Sequence, residues 1–239
     1  MMEKTHLKED YMVKTVFLDL DDTILDFHRA EAAALGRTLR TFGLDDSPQV
    51  LDRYHEINKR HWELLEEGKL TRAEVLTRRF DQLFGEFGMA CDSAAIWKSY
   101  EQNLSQGHWF VDGAPELLEA IAPKYDLYLA SNGASKVQHP RLDAAGIRKY
   151  FKGLFISEEI GADKPSKAFF DLCFAAIPDF DPAAAVMVGD SLTSDIRGGR
   201  NAGIRTCWFN PRYQPPRPDI PADYTFYALS ELPALLERL

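Results

Sequence analysis

The sequence predicts an α/β protein: a parallel sheet with helices on both faces and an all-helical segment inserted after the first strand. Two observations predict this architecture. Short apolar segments rich in strand formers alternate with helical segments, and such β-then-α repeats favour a parallel sheet with right-handed crossovers. Between about residues 28 and 105, by contrast, apolar residues recur only at helical spacing. A chain of 239 residues is long enough for a core and a smaller insert.

The first predicted strand, Lys14–Asp19, is too short for a helix and ends in a group of acidic residues. The residues before it, 1–11, are expected to be an extension, and Met12 is an alternative start to Met1. The insert that follows contains glycines near three helix breaks. Its four predicted helices are Ala30–Phe42, Val50–Glu66, Arg72–Phe87 and Ser93–Leu104.

After the insert, strands and helices alternate again to the end of the chain. The predicted strands are Asp126–Ala130, Gly153–Ile156, Ala184–Val188, Arg205–Phe209 and Tyr224–Phe226. The predicted helices are Pro115–Ile121, one ending before Gly146, Lys167–Ala176, one ending at Ala202, and Ser230–Arg238. We therefore expect a core domain of residues 12–26 and 110–239, and a helical domain of residues 27–109.

Composition excludes several classes of function. The chain has 28 Lys and Arg against 37 Asp and Glu, a net charge of −9, so a basic surface for nucleic acid is not expected. No apolar run approaches the ~18–20 residues that span a bilayer. Three scattered cysteines without a CxxC pair argue against a disulfide framework or a thiolate metal site. We expect a soluble cytoplasmic protein that binds neither nucleic acid nor membrane.

Polar side chains suited to phosphate chemistry follow four of the predicted strands. Because the carboxyl ends of parallel strands lie at one edge of the sheet, these side chains are expected to meet there. Several crowded carboxylates favour a divalent cation, and oxygen ligands without His or Cys favour Mg²⁺ over zinc. A lysine supplies further positive charge for a phosphate. The residues are Asp19 and Asp21, Ser131 and Asn132, Lys164, and Asp190 and Asp195.

These residues resemble the four motifs of the haloacid dehalogenase-like phosphohydrolase superfamily. The motifs occur in order as Asp19-Leu-Asp21-Asp-Thr23, Ser131-Asn-Gly, Lys164-Pro165 and Gly189-Asp190-Ser-Leu-Thr-Ser-Asp195. The resemblance implies a Rossmann-like sheet, and the insert is similar to the family's helical cap of the first type. From about Met12 onward the chain is most similar to the pyrimidine 5′-nucleotidase branch. Segments 54–62, 79–80, 131–142, 157–165 and 208–210 carry this closer likeness.

The resemblance implies a Mg²⁺-dependent hydrolysis of phosphate monoesters. Asp19 would be the nucleophile and Asp21 the general acid and base. Ser131, the Asn132 N–H and Lys164 would bind the phosphate oxygens. Mg²⁺ would be held by Asp19, the Asp21 backbone carbonyl and Asp190, with Asp195 binding a metal-bound water or orienting Lys164.

The expected substrate is a small phosphorylated metabolite, and the branch likeness favours a pyrimidine nucleoside 5′-monophosphate. Four residues of the insert are candidates for substrate specificity: Asn58, Trp62, Arg79 and Phe80. Trp62 and Phe80 are equally consistent with positions in the core of the insert.

Four alternatives stay open at this point. A phosphatase for another metabolite, a phosphosugar mutase and a haloacid dehalogenase would use the same fold, and a non-catalytic phospholigand-binding protein belongs to a different class. Asp21 and Asp190 count against a dehalogenase, which needs neither a leaving-group acid nor Mg²⁺. The intact set of Asp19, Asp21, Lys164 and Asp190 argues against a non-catalytic protein. The sequence leaves the oligomeric state open.

Overall fold

The central element of the fold is a six-stranded β-sheet. The structure is a computed structural model that describes residues 12–239, so the expected extension and the choice between Met1 and Met12 fall outside the described residues. The strands are β1 (Thr15–Leu18), β2 (Asp126–Ser131), β3 (Gly153–Ile156), β4 (Ala185–Gly189), β5 (Arg205–Phe209) and β6 (Tyr224–Phe226). They form one sheet in the order β3-β2-β1-β4-β5-β6, and every neighbouring pair is parallel. The predicted α/β class is confirmed.

Helices surround the sheet and fill the insert. They are α1 (Phe27–Thr41), α2 (Pro48–Glu66), α3 (Arg72–Phe87), α4 (Ser93–Leu104), α5 (Ala114–Ile121), α6 (Ser135–Ala144), α7 (Ser157–Ile160), α8 (Lys167–Ala175), α9 (Arg197–Ala202) and α10 (Leu232–Leu236). The helix expected to end at Ala202 is divided, because a π-helical turn over Leu192–Ile196 precedes α9. The short α7 was not predicted. Across residues 12–239, no helix has the length and apolar character to cross a membrane.

Both faces of the sheet are buried, as a parallel sheet requires. Successive residues of β1 point to opposite faces, so Leu18 joins a cluster with α5 and α10 while Phe17 joins one with α8. On the second face, Phe170 packs edge-on against Phe17 with ring centroids 6.5 Å apart. These two clusters hold the central strand rigidly, and its carboxyl end therefore has a fixed position.

The four helices of the insert have an apolar cluster of their own, which includes Tyr54, Phe80 and Tyr100. Helix α3 begins with a capping box in which the Thr71 hydroxyl accepts from the Glu74 N–H, and the helix ends at a left-handed glycine. The adjoining Arg72 donates to the Asn132 carbonyl at 2.9 Å and pairs with Asp163. The start of α3 is thus attached to the carboxyl edge of the sheet.

Candidate active site

A buried lysine organises the carboxyl edge of the sheet. Lys164 lies in the loop after α7, and its side chain is 1% exposed. Its Nζ donates to Asp19 Oδ1 at 2.7 Å, to Asp195 Oδ1 at 2.7 Å and to the Ala130 carbonyl at 2.6 Å. All three ammonium hydrogens therefore have acceptors, which offsets the cost of removing the charge from water. Asp19 follows β1, Ala130 belongs to β2 and Asp195 follows β4, so one side chain connects three strand ends.

Three carboxylates converge next to this lysine. Asp19, Asp190 and Asp195 each offer an oxygen, and these oxygens lie within 4.8 Å of one another. Burial raises the pKa of Asp19 to about 8, with Lys164 opposing the rise and the neighbouring carboxylates adding to it. Burial and the adjacent carboxylates also raise the pKa of Asp190. Three carboxylates against one ammonium leave an excess of two negative charges, which an oxygen-binding divalent ion such as Mg²⁺ fits.

The turn after β4 fixes two of these carboxylates. The Ser191 N–H donates to Asp195 Oδ2 at 3.1 Å, while Asp195 Oδ1 accepts from Lys164. The Asp190 N–H donates to the Thr23 hydroxyl at 3.2 Å. Gly189 is required here because a Cβ at this position would lie 2.1 Å from Asp195 Oδ2. Of the two roles expected for Asp195, the structure places it in direct contact with Lys164.

Asp21 lies apart from this group of carboxylates. Its Oδ2 accepts from Gln138 Nε2 at 2.6 Å, and its Oδ1 pairs with the buried guanidinium of Arg141. Arg141 also donates to Gln138 Oε1 at 2.8 Å and to the Gly107 carbonyl at 2.6 Å. Sequence reasoning gave neither Gln138 nor Arg141 a role. The sequence signal that could have indicated them is their spacing: Gln138 and Arg141 are three residues apart in a helix that begins soon after Ser131-Asn-Gly.

Ser131 and Asn132 fix the end of β2. The Ser131 hydroxyl accepts from the Gly133 N–H at 3.1 Å and from Gln138 Nε2 at 2.8 Å. The Asn132 side chain accepts from the Lys164 N–H at 2.8 Å and donates to the Lys164 carbonyl at 2.9 Å. The carboxamide thus holds the backbone that carries the buried lysine, a contact that the sequence did not indicate.

A cavity lies between the insert and the carboxyl edge. Its floor contains Asp19, Asp21, Lys164 and Asp190, and its wall on the insert side contains Trp62, Arg79, Trp97 and Tyr100. Two of the four specificity candidates, Trp62 and Arg79, therefore line the same space as the carboxylates.

The other two candidates, Asn58 and Phe80, do not line this cavity. Phe80 is fully buried and packs on the rings of Tyr54 and Tyr100, with centroids 5.1 and 5.5 Å away. Asn58 Oδ1 accepts from Arg79 Nη1 at 2.6 Å. Phe80 thus belongs to the apolar core of the insert, and Asn58 orients the guanidinium that reaches the cavity.

Together, the parallel α/β sheet and the buried lysine between two aspartates define an α/β protein with an acid-rich site at the carboxyl edge of its central strands. The family model of haloacid dehalogenase-like hydrolases matches residues 13–203, and the chain belongs to that family. The family predicted from the four motifs is confirmed.

The chain aligns with three curated relatives over nearly the whole length of each. The chain is 40% identical to the HAD-hydrolase YfnB of Bacillus subtilis (92% of this chain, 93% of the relative). It is 36% identical to the pyrimidine 5′-nucleotidase PynA of Streptococcus pneumoniae (94% and 95%) and 30% identical to the pyrimidine 5′-nucleotidase YjjG of Escherichia coli (92% and 96%). The crystal structure of YfnB bound to magnesium matches with a TM-score of 0.91, covering 94% of this chain and 99% of that one.

Glu66, at the end of α2, is a further acidic group that lines the cavity. Its Oε2 is buried without a hydrogen-bond partner, and burial raises the pKa of the carboxyl from 4.5 to about 7. The folded protein therefore keeps this proton at pH values where the unfolded chain has lost it. Because of this difference in pKa, the contribution of Glu66 to the free energy of unfolding depends on pH.

We predict that Glu66→Gln becomes progressively more stable than the parent as pH rises from 5 to 8. Between the unfolded pKa near 4.5 and the folded pKa near 7, the unfolded parent loses this proton while the folded parent keeps it, so the parent loses stability as pH rises; a carboxamide does not titrate. Urea unfolding in chelator at both pH values measures the difference. Glu119→Gln, at an exposed position on α5, is the control. A Glu66→Gln difference that is equal at pH 5 and pH 8 would contradict the assignment.

Proposed function

We propose that this protein hydrolyses phosphate monoesters with Mg²⁺, and that pyrimidine nucleoside 5′-monophosphates are its preferred substrates. The observation that carries the proposal is the contact of Lys164 Nζ with both Asp19 and Asp195. A fixed ammonium beside a carboxylate nucleophile stabilises the charge that develops on a phosphoryl group under attack. The substrate class is supported by two relatives that are named pyrimidine 5′-nucleotidases.

Asp19 is the nucleophile in this proposal. Lys164 fixes its Oδ1 at 2.7 Å, and Oδ2 attacks the phosphorus. The bond between phosphorus and the leaving alkoxide oxygen breaks, and an aspartyl phosphate forms. Water then attacks the phosphorus of that intermediate, which releases inorganic phosphate and restores the carboxylate. The covalent intermediate divides one difficult displacement into two easier ones.

Asp21 transfers the protons in both steps. Its neutral carboxyl first donates a proton to the leaving alkoxide, and its carboxylate then takes a proton from the attacking water. The ion pair with Arg141 suits the second of these forms, because a guanidinium pairs with a carboxylate and not with a neutral carboxyl. Gln138 holds the other oxygen of Asp21, so the carboxyl keeps its orientation toward the cavity in both forms.

Three groups act on the phosphoryl oxygens: the Ser131 hydroxyl and the Asn132 backbone N–H donate hydrogen bonds to them, and the Lys164 ammonium, whose hydrogens already have acceptors, attracts them by its charge. All three lie at the carboxyl edge of the sheet, and the Asn132 side chain holds two of them together by bonding to the Lys164 backbone. Fixed donors of this kind stabilise the transition state without reorganising during the reaction.

Asp19, Asp190 and the Asp21 backbone carbonyl would hold Mg²⁺. Bound there, the ion would neutralise the excess negative charge of the carboxylates and of a phosphate dianion. With that charge compensated, Asp19 can stay ionised despite its burial. Asp195 contributes by holding Lys164 in place.

Residues 27–109 form a cap domain over a core domain of residues 12–26 and 110–239 in this proposal. The cap closes the cavity and excludes water from the phosphoryl group. Trp62 and Trp97 offer flat apolar surfaces for a nucleobase, and Arg79 offers donors for its carbonyl oxygens. Arg79 Nε is buried without a hydrogen-bond partner, which leaves a donor available to a ligand.

We predict that Asp19→Asn lowers turnover at least a thousandfold, about 4 kcal/mol in activation free energy, and leaves the fold intact. A carboxamide has nearly the same shape as a carboxylate but does not attack phosphorus. Phosphate release in excess Mg²⁺, with and without chelator, measures the loss, and circular dichroism checks the fold. Asp112→Asn, at an exposed position, should match the parent. If Asp19→Asn turned over at even a tenth of the parental rate, Asp19 would not be the nucleophile.

We also predict that Arg79→Ala lowers kcat/KM for uridine 5′-monophosphate about 10- to 100-fold, or ~1.4–2.7 kcal/mol, and hardly changes it for an aryl phosphate. The guanidinium would contact the nucleoside and not the phosphate. Asn58→Ala should also lower kcat/KM for uridine 5′-monophosphate, though by less, and hardly change it for the aryl phosphate, because Asn58 acts through Arg79. Arg78→Ala, which removes an exposed ion pair on the same helix, is the matched control. A parallel fall on both substrates would mean that Arg79 only stabilises the cap.

A further inference from the structure

A second group of potential metal ligands lies on the insert, on α1 and α2. His28 and Glu31 are three residues apart on α1 and therefore share a face of that helix, and His55 approaches them from α2. The Nδ1 atoms of His28 and His55 are 3.2 Å apart, and Glu31 Oε2 lies 2.6 Å from His55 Nδ1. None of these three residues belongs to the carboxylate group around Lys164.

The spacing of these atoms fits one small ion. Imidazole nitrogens bind Zn²⁺ at about 2.0–2.1 Å, so two such ligands in a tetrahedral arrangement lie roughly 3.3 Å apart. The two Nδ1 atoms already have this separation, and the carboxylate oxygen needs a small movement away from His55. His28 is exposed, so water can reach the fourth position.

The two oxygens of Glu31 have the contacts that are usual for a carboxylate that binds a metal ion. Its side chain is 2% exposed, and its second oxygen, Oε1, accepts from Asn58 Nδ2 at 2.6 Å. A hydrogen bond to the free oxygen of a carboxylate ligand orients that ligand and strengthens binding. Burial also means that Glu31 needs a positive partner, and the His55 imidazole lies within hydrogen-bond distance of Oε2.

We propose that His28, Glu31 and His55 form a binding site for a divalent transition metal ion such as Zn²⁺, Co²⁺ or Ni²⁺. Two imidazole ligands favour these ions over Mg²⁺, so the site is chemically distinct from the oxygen-only group around Asp19. The bound ion replaces the His28–His55 contact and joins α1 to α2. It also becomes the partner of a carboxylate that is bonded, through Asn58, to Arg79 in the cavity wall.

Titration of the full chain with Co²⁺ in a large excess of Mg²⁺ tests this site, with visible absorption of the bound ion as the readout. Mg²⁺ occupies the oxygen ligands and leaves imidazole nitrogens available. We expect one Co²⁺ per chain, bound with the absorption of a nitrogen-ligated ion. His28→Ala and His55→Ala should each weaken binding about tenfold or more. His108→Ala, another exposed histidine, is the matched control and should bind Co²⁺ like the parent.

Three results would overturn the proposal. The first is no Co²⁺ bound to the parent in excess Mg²⁺. The second is equal affinity in the parent, His28→Ala and His55→Ala. The third is binding that is lost in Asp190→Asn but retained in both histidine variants, because that result would assign the ion to the carboxylate group. His28 is exposed, so its removal leaves the fold intact, and circular dichroism confirms this for each variant.

Discussion

A single buried ammonium group is the constraint on which the rest of the site depends. The Lys164 side chain is almost completely buried, so the chain must supply acceptors for its hydrogens. Asp19, Ala130 and Asp195 supply them from the ends of β1, β2 and β4. Removing any acceptor would leave a buried charge incompletely paired, which costs several kcal/mol, about 3–5 for a broken buried pair. The same contacts that stabilise the buried lysine therefore fix the position of Asp19, the proposed nucleophile.

The strand order explains why these residues meet. In the order β3-β2-β1-β4-β5-β6, β1 lies between β2, which ends at Ser131, and β4, which is followed by Asp190. Asp19 therefore emerges between the segments proposed to bind phosphate and metal, at the topological switch of the sheet, where ligands of parallel α/β proteins bind. Apolar clusters on both faces hold β1, and the insert covers the site through Arg72. Sheet, insert and site thus form one connected arrangement.

Local patterns predicted the sheet well but could not predict contacts between distant segments. The first strand was predicted as Lys14–Asp19 and is Thr15–Leu18, because short apolar runs define strands whatever their neighbours. Arg141 was missed because its partner, Asp21, lies 120 residues away and only packing brings the two together. Phe80 could not be assigned to core or cavity from the sequence, because helical periodicity marks a buried face without saying what covers it. The same limit concealed the bond between Asn58 and Glu31.

The central claim is that Asp19 becomes phosphorylated during turnover. The most direct test is rapid quenching of Asp21→Asn during reaction with an aryl phosphate and Mg²⁺, followed by mass spectrometry of the peptide that contains Asp19. An aryl leaving group needs little protonation, whereas hydrolysis of the intermediate still needs the base, so the phosphorylated enzyme should accumulate. The account predicts a burst of phenol release with the phosphoryl group on Asp19. A burst with the phosphoryl group on another residue, or phosphate release without any phosphorylated enzyme, would contradict it.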